Sequence, residues 1–372
     1  IILLLAIHIL LSLSIASLRN GVHSVAEPYI RTEYEYIGDI GITSNIYQLL
    51  NNYHELQSKL SLHAKLAPPG PLIILWALSY ILGRTPLTLA IATIILGSTA
   101  LISLYLWAKE ISQKFSVNPV QISILYAVMP GIILFTSTSS EILYMPFLFI
   151  TLFFFERALN NKSLILISLG GFSFAILSFL KFTLLSTAIY FFLSGIFSIF
   201  SRKQKFSSLI LYGVIMSASF IGFYIALYFL TGYQPVKVFL QAHTLFLQDI
   251  EAIKKLSPRY SIGWFKIFNT WSWLYFSGIP IAMGFFITLA NTESYKKSSF
   301  WEIFLTFLIL NLAYIAPGEG ERSALYIYPF ILLISTQAWN KEFSASPSIL
   351  TNIVTFQIFQ SVLTESLFYT YW

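Results

Sequence analysis

Apolar runs separated by short polar stretches recur along nearly the whole chain. A helix that crosses the hydrocarbon core of a bilayer needs about 20 largely apolar residues. On that measure the pattern predicts eleven spans, at 1–18, 86–107, 120–137, 142–156, 163–180, 182–200, 208–230, 271–290, 300–316, 324–339 and 349–367. The last is the weakest, being interrupted by Asn352, Gln357 and Gln360. The stretch 70–83, GPLIILWALSYILG, is apolar but only fourteen residues long, which predicts an interfacial or re-entrant helix on the outer side. The expected fold class is therefore all-α: a polytopic transmembrane helix bundle whose long first outer loop contains interfacial helices. No internal repeat, low-complexity tract or linker interrupts it, so one membrane domain over 1–372 is the simplest division.

Charge orients the bundle. With the N-terminus inside, the short inner loops are 108–119, 156–162, 201–207, 291–299 and 340–348, and each carries Lys or Arg. That agrees with the positive-inside rule. Were 70–83 a full span, every later loop would change sides. The long outer segments are then 19–85 and 231–270. The chain opens at Ile1 rather than Met, which points to a trimmed start. The first segment reads as a retained span, because no small-residue cleavage site follows it.

Composition sharpens this reading. The chain is 56% hydrophobic and 10% charged, against about 25% charged in soluble domains. The net charge of +6 is spread rather than gathered in one run, which argues against a nucleic-acid partner. Without cysteine there is no thiolate nucleophile, disulfide or Cys-based metal site. P-loop, GxGxxG, HExxH and GxSxG patterns are absent.

Polar residues with chemical potential concentrate on the expected outer side. RTEYEYIGDIGI supplies Glu33, Glu35 and Asp39 just beyond the first span. Such a carboxylate suits a general base for an acceptor hydroxyl, a ligand for a divalent cation, or a solvated acidic loop. Gly38 and Gly41 beside Asp39 leave room for close approach. In HAKLAPPGPLIILWAL, prolines stiffen the entry to a helix and place His63 and Lys65 over the membrane, to meet a lipid phosphate or to serve as surface basicity. Lys181 is the lone charge in about forty apolar residues, costly unless it functions or snorkels to water. Glu141 is either a second site carboxylate or a first-turn helix acid. In the PGEGERS turn, Arg322 either clamps a phosphate or pairs with Glu319 and Glu321. Residues 232–265 form an amphipathic, aromatic stretch able to lie over a groove, and Tyr260, Trp264, Trp271 and Trp273 read as interfacial belt residues.

In their order, EYEYIGD after a first span, HAKLAPPGPLIILW, GFSFAILSFLKFTLL and GEGERSALYIYPF, these pieces resemble the GT-C superfamily of polytopic glycosyltransferases, which includes protein mannosyltransferases and aminoarabinose transferases. The likeness covers most of 1–340. It departs at Ala67, where a second His often precedes the paired prolines. The resemblance implies a sugar donor linked to a polyprenyl-type lipid phosphate. It implies a site open to the outer or lumenal face and an acceptor glycan, lipid or protein there. It assigns catalysis to Asp39, or else Glu35, and the donor phosphate to Lys181, Arg322, His63 and Lys65, with Glu141, Glu319 and Glu321 as accessory groups. No cofactor is assigned, and a divalent metal is compatible. The setting implied is a plasma or inner membrane in preference to the ER. The competing class is a transporter or flippase of an anionic lipid-linked substrate. It should place ionisable residues within spans near the midplane, where the spans hold almost none; His8 and Glu302 lie within or at the ends of spans. A non-catalytic assembly subunit is a third class, with no feature in its favour.

Overall fold

A computed structural model describes residues 1–256, 262–314, 320–368 and 370. Among them all regular structure is helical, at 85% of the chain, with no strand. Among the described residues the apolar runs are largely helical, because such runs leave the backbone to satisfy itself internally. Start signals are local: Thr85 accepts from Thr88 N–H ahead of Pro86, Asn118 accepts from Val120 and Gln121 N–H ahead of Pro119, and Ser163 accepts from Leu166 N–H.

Length divides these helices. Pro86–Phe115, Ser140–Asn161, Phe182–Phe200 and Phe206–Thr231 are long and apolar enough to cross a membrane, and two bent pairs would raise the number to six. Ile2–Ala16, Leu164–Leu180 and Ser298–Ala313 are apolar but shorter, as is Gly70–Leu82, the expected short helix. The thirteen residues of Gly70–Leu82 reach only about 20 Å at 1.5 Å per residue. Phe206–Thr231 turns most of its surface outward, exposing Ile210, Val214, Ile221, Ile225 and Phe229, as a helix in contact with lipid does.

The expected span at 271–290 is sharply bent. Its chain runs as Gly263–Ser277 and Ile279–Ala290, bent by 117°, around Gly278 at φ 98°, a conformation that favours glycine. A break inside an apolar bundle frees backbone groups that must find partners. The last helix, Pro347–Phe368, supplies them: Gln360 accepts from Ile279 N–H (2.9 Å) and donates to Tyr275 O (2.8 Å), and Gln357 donates to Ser277 O (3.0 Å). The glutamines that weakened the eleventh span as a lipid-facing segment serve as inward staples. Likewise the helices Pro119–Ala127 and Pro130–Thr138 meet at 56°, and His8 bridges them through Ala127 O (2.7 Å) and Thr136 Oγ1 (3.3 Å).

Two large apolar cores result, beside a small one of Ile15, Val128, Ile133 and Leu134. The larger centres on Trp107, whose ring lies 5.8 Å from Phe149, 6.2 Å from Tyr190 and 6.5 Å from Phe330. The other gathers Leu49, Tyr53, Trp76, Leu89 and Tyr233 beneath the 19–85 segment, giving that long loop a packed base.

Candidate functional site

The acidic motif and the His motif are sewn together by backbone. Leu62 N–H donates to Glu33 O (3.2 Å) and His63 N–H to Tyr34 O (3.1 Å). The Asp39 carboxylate accepts from Ser61 N–H (3.1 Å to each oxygen) and Ser61 Oγ–H (2.7 Å), at the start of the turn Leu62–Lys65. Tyr53 Oη–H donates to Ala64 O and Ala67 O, and Gln57 donates to Lys65 O. Gly38 leaves no vacancy: a Cβ there would stand 2.1 Å from Thr32 O, so the loop's own backbone fills the space.

At the centre stands Glu35, only 3% exposed. His63 Nδ1 lies 3.1 Å and an Arg322 guanidinium nitrogen 3.4 Å from its Oε1, and Ser140 Oγ–H donates to Oε2 at 3.1 Å. A second Arg322 nitrogen lies 3.1 Å from His63 Nε2. Arginine can only donate, so His63 Nε2 accepts, and the proton belongs on Nδ1, donated to Glu35. Burial favours the neutral acid of Glu35. The His63 hydrogen bond, the Arg322 charge and Ser140 outweigh it and hold the carboxyl below its ordinary range. Asp39 is moved the other way: burial raises its pKa and the Ser61 hydrogen bonds offset only part of that. Arg322 itself is 3% exposed on the turn Gly320–Ser323, which Trp273 anchors by donating to Gly320 O (2.7 Å).

One residue beyond Ser140, Glu141 pairs with Lys181. A cavity of about 10 Å³, room for at most about one water, lies here among Tyr36, Pro71, Ser140, Glu141, Tyr144 and Leu180. Ser140, which donates to Glu35, and Glu141, which pairs with Lys181, stand on its wall, whereas Glu35, His63, Lys181 and Arg322 do not. From Phe182 onward an apolar groove of about 640 Å³ runs between Phe220, Tyr224, Tyr228 and Phe239, open along the lipid-facing helix Phe206–Thr231.

The remaining candidates lie apart from this group. Lys65 turns to the helix Pro235–Leu256 and pairs with Asp249 at 3.1 Å. Glu321 accepts from Ser272 (2.9 Å). Glu319 and Tyr260 fall outside the described residues. Among the described residues no three His, Asp or Glu side chains converge as metal ligands would. Ser140 and Ser61 escape sequence reasoning, since serines are common and only the fold aims these two at carboxylates. No family model matches the chain, and no curated protein matches it either.

Proposed function

We propose that the chain is a glycosyltransferase. It moves a sugar from a polyprenyl-phosphate-type lipid to an acceptor at the outer face of an eleven-span bundle in a plasma or inner membrane. The observation that carries this reading is the convergence of Glu35, His63, Ser140–Glu141, Lys181 and Arg322, remote in sequence, with an apolar groove of about 640 Å³ that starts at Phe182, next to Lys181. Each cation faces a carboxylate, Arg322 on Glu35 and Lys181 on Glu141. The small cavity, about 10 Å³, holds no more than about one water, so a donor phosphate reaches both cations only when the two pairs part around it; charge-assisted bonds in such a water-poor site are strong.

That exchange prepares the chemistry. Once Arg322 turns to phosphate, Glu35 loses a cation that keeps it a weak base, and its proton affinity rises. The acceptor oxygen attacks the anomeric carbon, and its proton passes to Glu35, directly or through His63 Nε2, which Arg322 has released. The bond from the anomeric carbon to the phosphate oxygen breaks, and the lipid phosphate leaves with the electron pair, its charge met by Arg322 and Lys181. We assign the base to Glu35 rather than Asp39, whose hydrogen bonds run to Ser61 and steady the turn that carries His63. The lipid chain lies in the groove from Phe182 to Phe239.

The test uses the purified protein in proteoliposomes, offered a panel of sugar-linked polyprenyl phosphates with release of free lipid phosphate measured. Release by the wild type, lost in Arg322→Ala, is expected. Intact donors that instead change leaflet would move the assignment to a flippase.

A further inference from the structure

The opposite end of the bundle carries a second polar construction. Glu156 lies in the same helical stretch as Ser140, Ser140–Asn161, about 24 Å further along at 1.5 Å per residue. There Lys114 Nζ stands 3.1 Å from Glu156 Oε1, 2.6 Å from Glu302 Oε1 and 2.8 Å from Ser194 Oγ. Tyr190 and Ser194 also donate to Glu156. Glu156 is 2% and Glu302 1% exposed. Two buried carboxyl groups thus share one ammonium. A cavity of about 480 Å³ opens onto this floor, and the exposed Lys109 and Lys203 stand on its wall with Asn160, Gln113, Ser298 and Ser299.

Burying such a group is expensive, and apolar residues of similar size would join the same helices at least as stably. With one ammonium between them and both on the lining of an open cavity, the two carboxyl groups leave a place for a second cationic group. A simple cation suits the floor but gives the lysines no part. A simple anion suits the lysines and is repelled by the floor. A molecule with a primary ammonium at one end and a phosphate at the other satisfies both. We propose that this cavity binds an amino-phosphate zwitterion of the phosphoethanolamine type, its ammonium on Glu302 and Glu156 and its phosphate on Lys109 and Lys203. The site lies where the Lys- and Arg-bearing loops 108–119, 201–207 and 291–299 gather, and it does not depend on the glycosyltransferase reading.

The full chain, purified and delipidated in detergent, is titrated with short-chain phosphatidylethanolamine, phosphatidylcholine and phosphatidylglycerol, and with soluble O-phosphoethanolamine, and binding is read by native mass spectrometry and calorimetry. The ethanolamine lipid should bind at least about tenfold more tightly than the other two, since a quaternary ammonium or a hydroxyl forgoes at least one charge-assisted hydrogen bond. Glu302→Gln should abolish that preference. Lys109→Ala with Lys203→Ala, both at exposed positions that the fold does not need, should weaken every phosphate-bearing probe. Saturable binding of the soluble compound identifies a free ligand, and binding of the lipid alone identifies a headgroup. Equal affinity for the three lipids, or a preference that survives Glu302→Gln with an unchanged melting temperature, overturns the proposal.

Discussion

Glu35→Gln removes one charge while keeping the shape of the side chain. In the wild type the carboxylate accepts from His63 at 3.1 Å, Arg322 at 3.4 Å and Ser140 at 3.1 Å, and both Glu35 and Arg322 are 3% exposed. Hydrogen bonds to charged groups contribute about 1.5–3 kcal/mol each, and removing one partner of a buried pair costs about 3–5 kcal/mol. The Arg322 contact is long, which lowers its share, and the glutamine carbonyl still accepts one donor. A net loss of about 2–3 kcal/mol follows, or roughly 3–4 °C in melting temperature at about 2.1 cal/mol/K per residue over 372 residues. The pH dependence has a definite sign. The folded carboxyl titrates below its ordinary range, so its contribution is complete above the unfolded value, about 4.3. It is lost only as pH falls through the lower folded value. The gap between wild type and variant should be constant from about pH 8 to about pH 5 and close below about pH 4. Melting of both proteins in detergent across that range checks this. Identical melting at pH 7, or a gap that widens on acidification, refutes the network.

Lys181→Ala should cost donor binding at least about tenfold, one charge-assisted contact, whereas Lys297→Ala should leave it unchanged; equilibrium binding of a non-hydrolysable lipid phosphonate measures both. Glu141→Gln frees Lys181 for phosphate and should tighten that same binding. Gln360→Leu forfeits the bonds to Ile279 N–H and Tyr275 O and should lower stability by about 2–4 kcal/mol, since two buried backbone groups lose their partner; thermal unfolding reads it. In this cysteine-free chain, Lys205→Cys should resist a membrane-impermeant thiol reagent in intact cells while Glu251→Cys reacts, and the reverse pattern would invert the orientation.

Positions of helices were legible because apolar runs and their Pro, Thr, Asn and Ser starts are local features. The break at Gly278 was not, because a glycine in an apolar run is unremarkable until Gln357 and Gln360 are seen opposite it. Polar residues in a span signal inward staples as readily as a weak span. The outer residues were selected by charge and setting, and five of them, Glu35, His63, Glu141, Lys181 and Arg322, lie together. Ranking Asp39 above Glu35 rested on its rarity and its flanking glycines. Which carboxylate faces a cation depends on contacts across as many as 287 residues, between Glu35 and Arg322. The Lys114–Glu156–Glu302 group was hidden for the same reason, each member reading as an ordinary charge near the end of a span.

The account turns on a carboxylate that becomes a base when phosphate draws Arg322 away. Its most direct measurement is single-turnover sugar transfer from a lipid-phosphate donor in proteoliposomes, with wild type, Glu35→Gln and Asp39→Asn compared at matched, correctly folded protein. Removing a positioned base typically costs about 10²–10⁴-fold in rate. Glu35→Gln should fall by at least about a hundredfold on that basis, with donor binding retained. Asp39→Asn, which disturbs only the turn carrying His63, should lose less than about tenfold, one lost hydrogen bond's worth. Near-normal transfer by Glu35→Gln beside an inactive Asp39→Asn would contradict the account and return the base to Asp39.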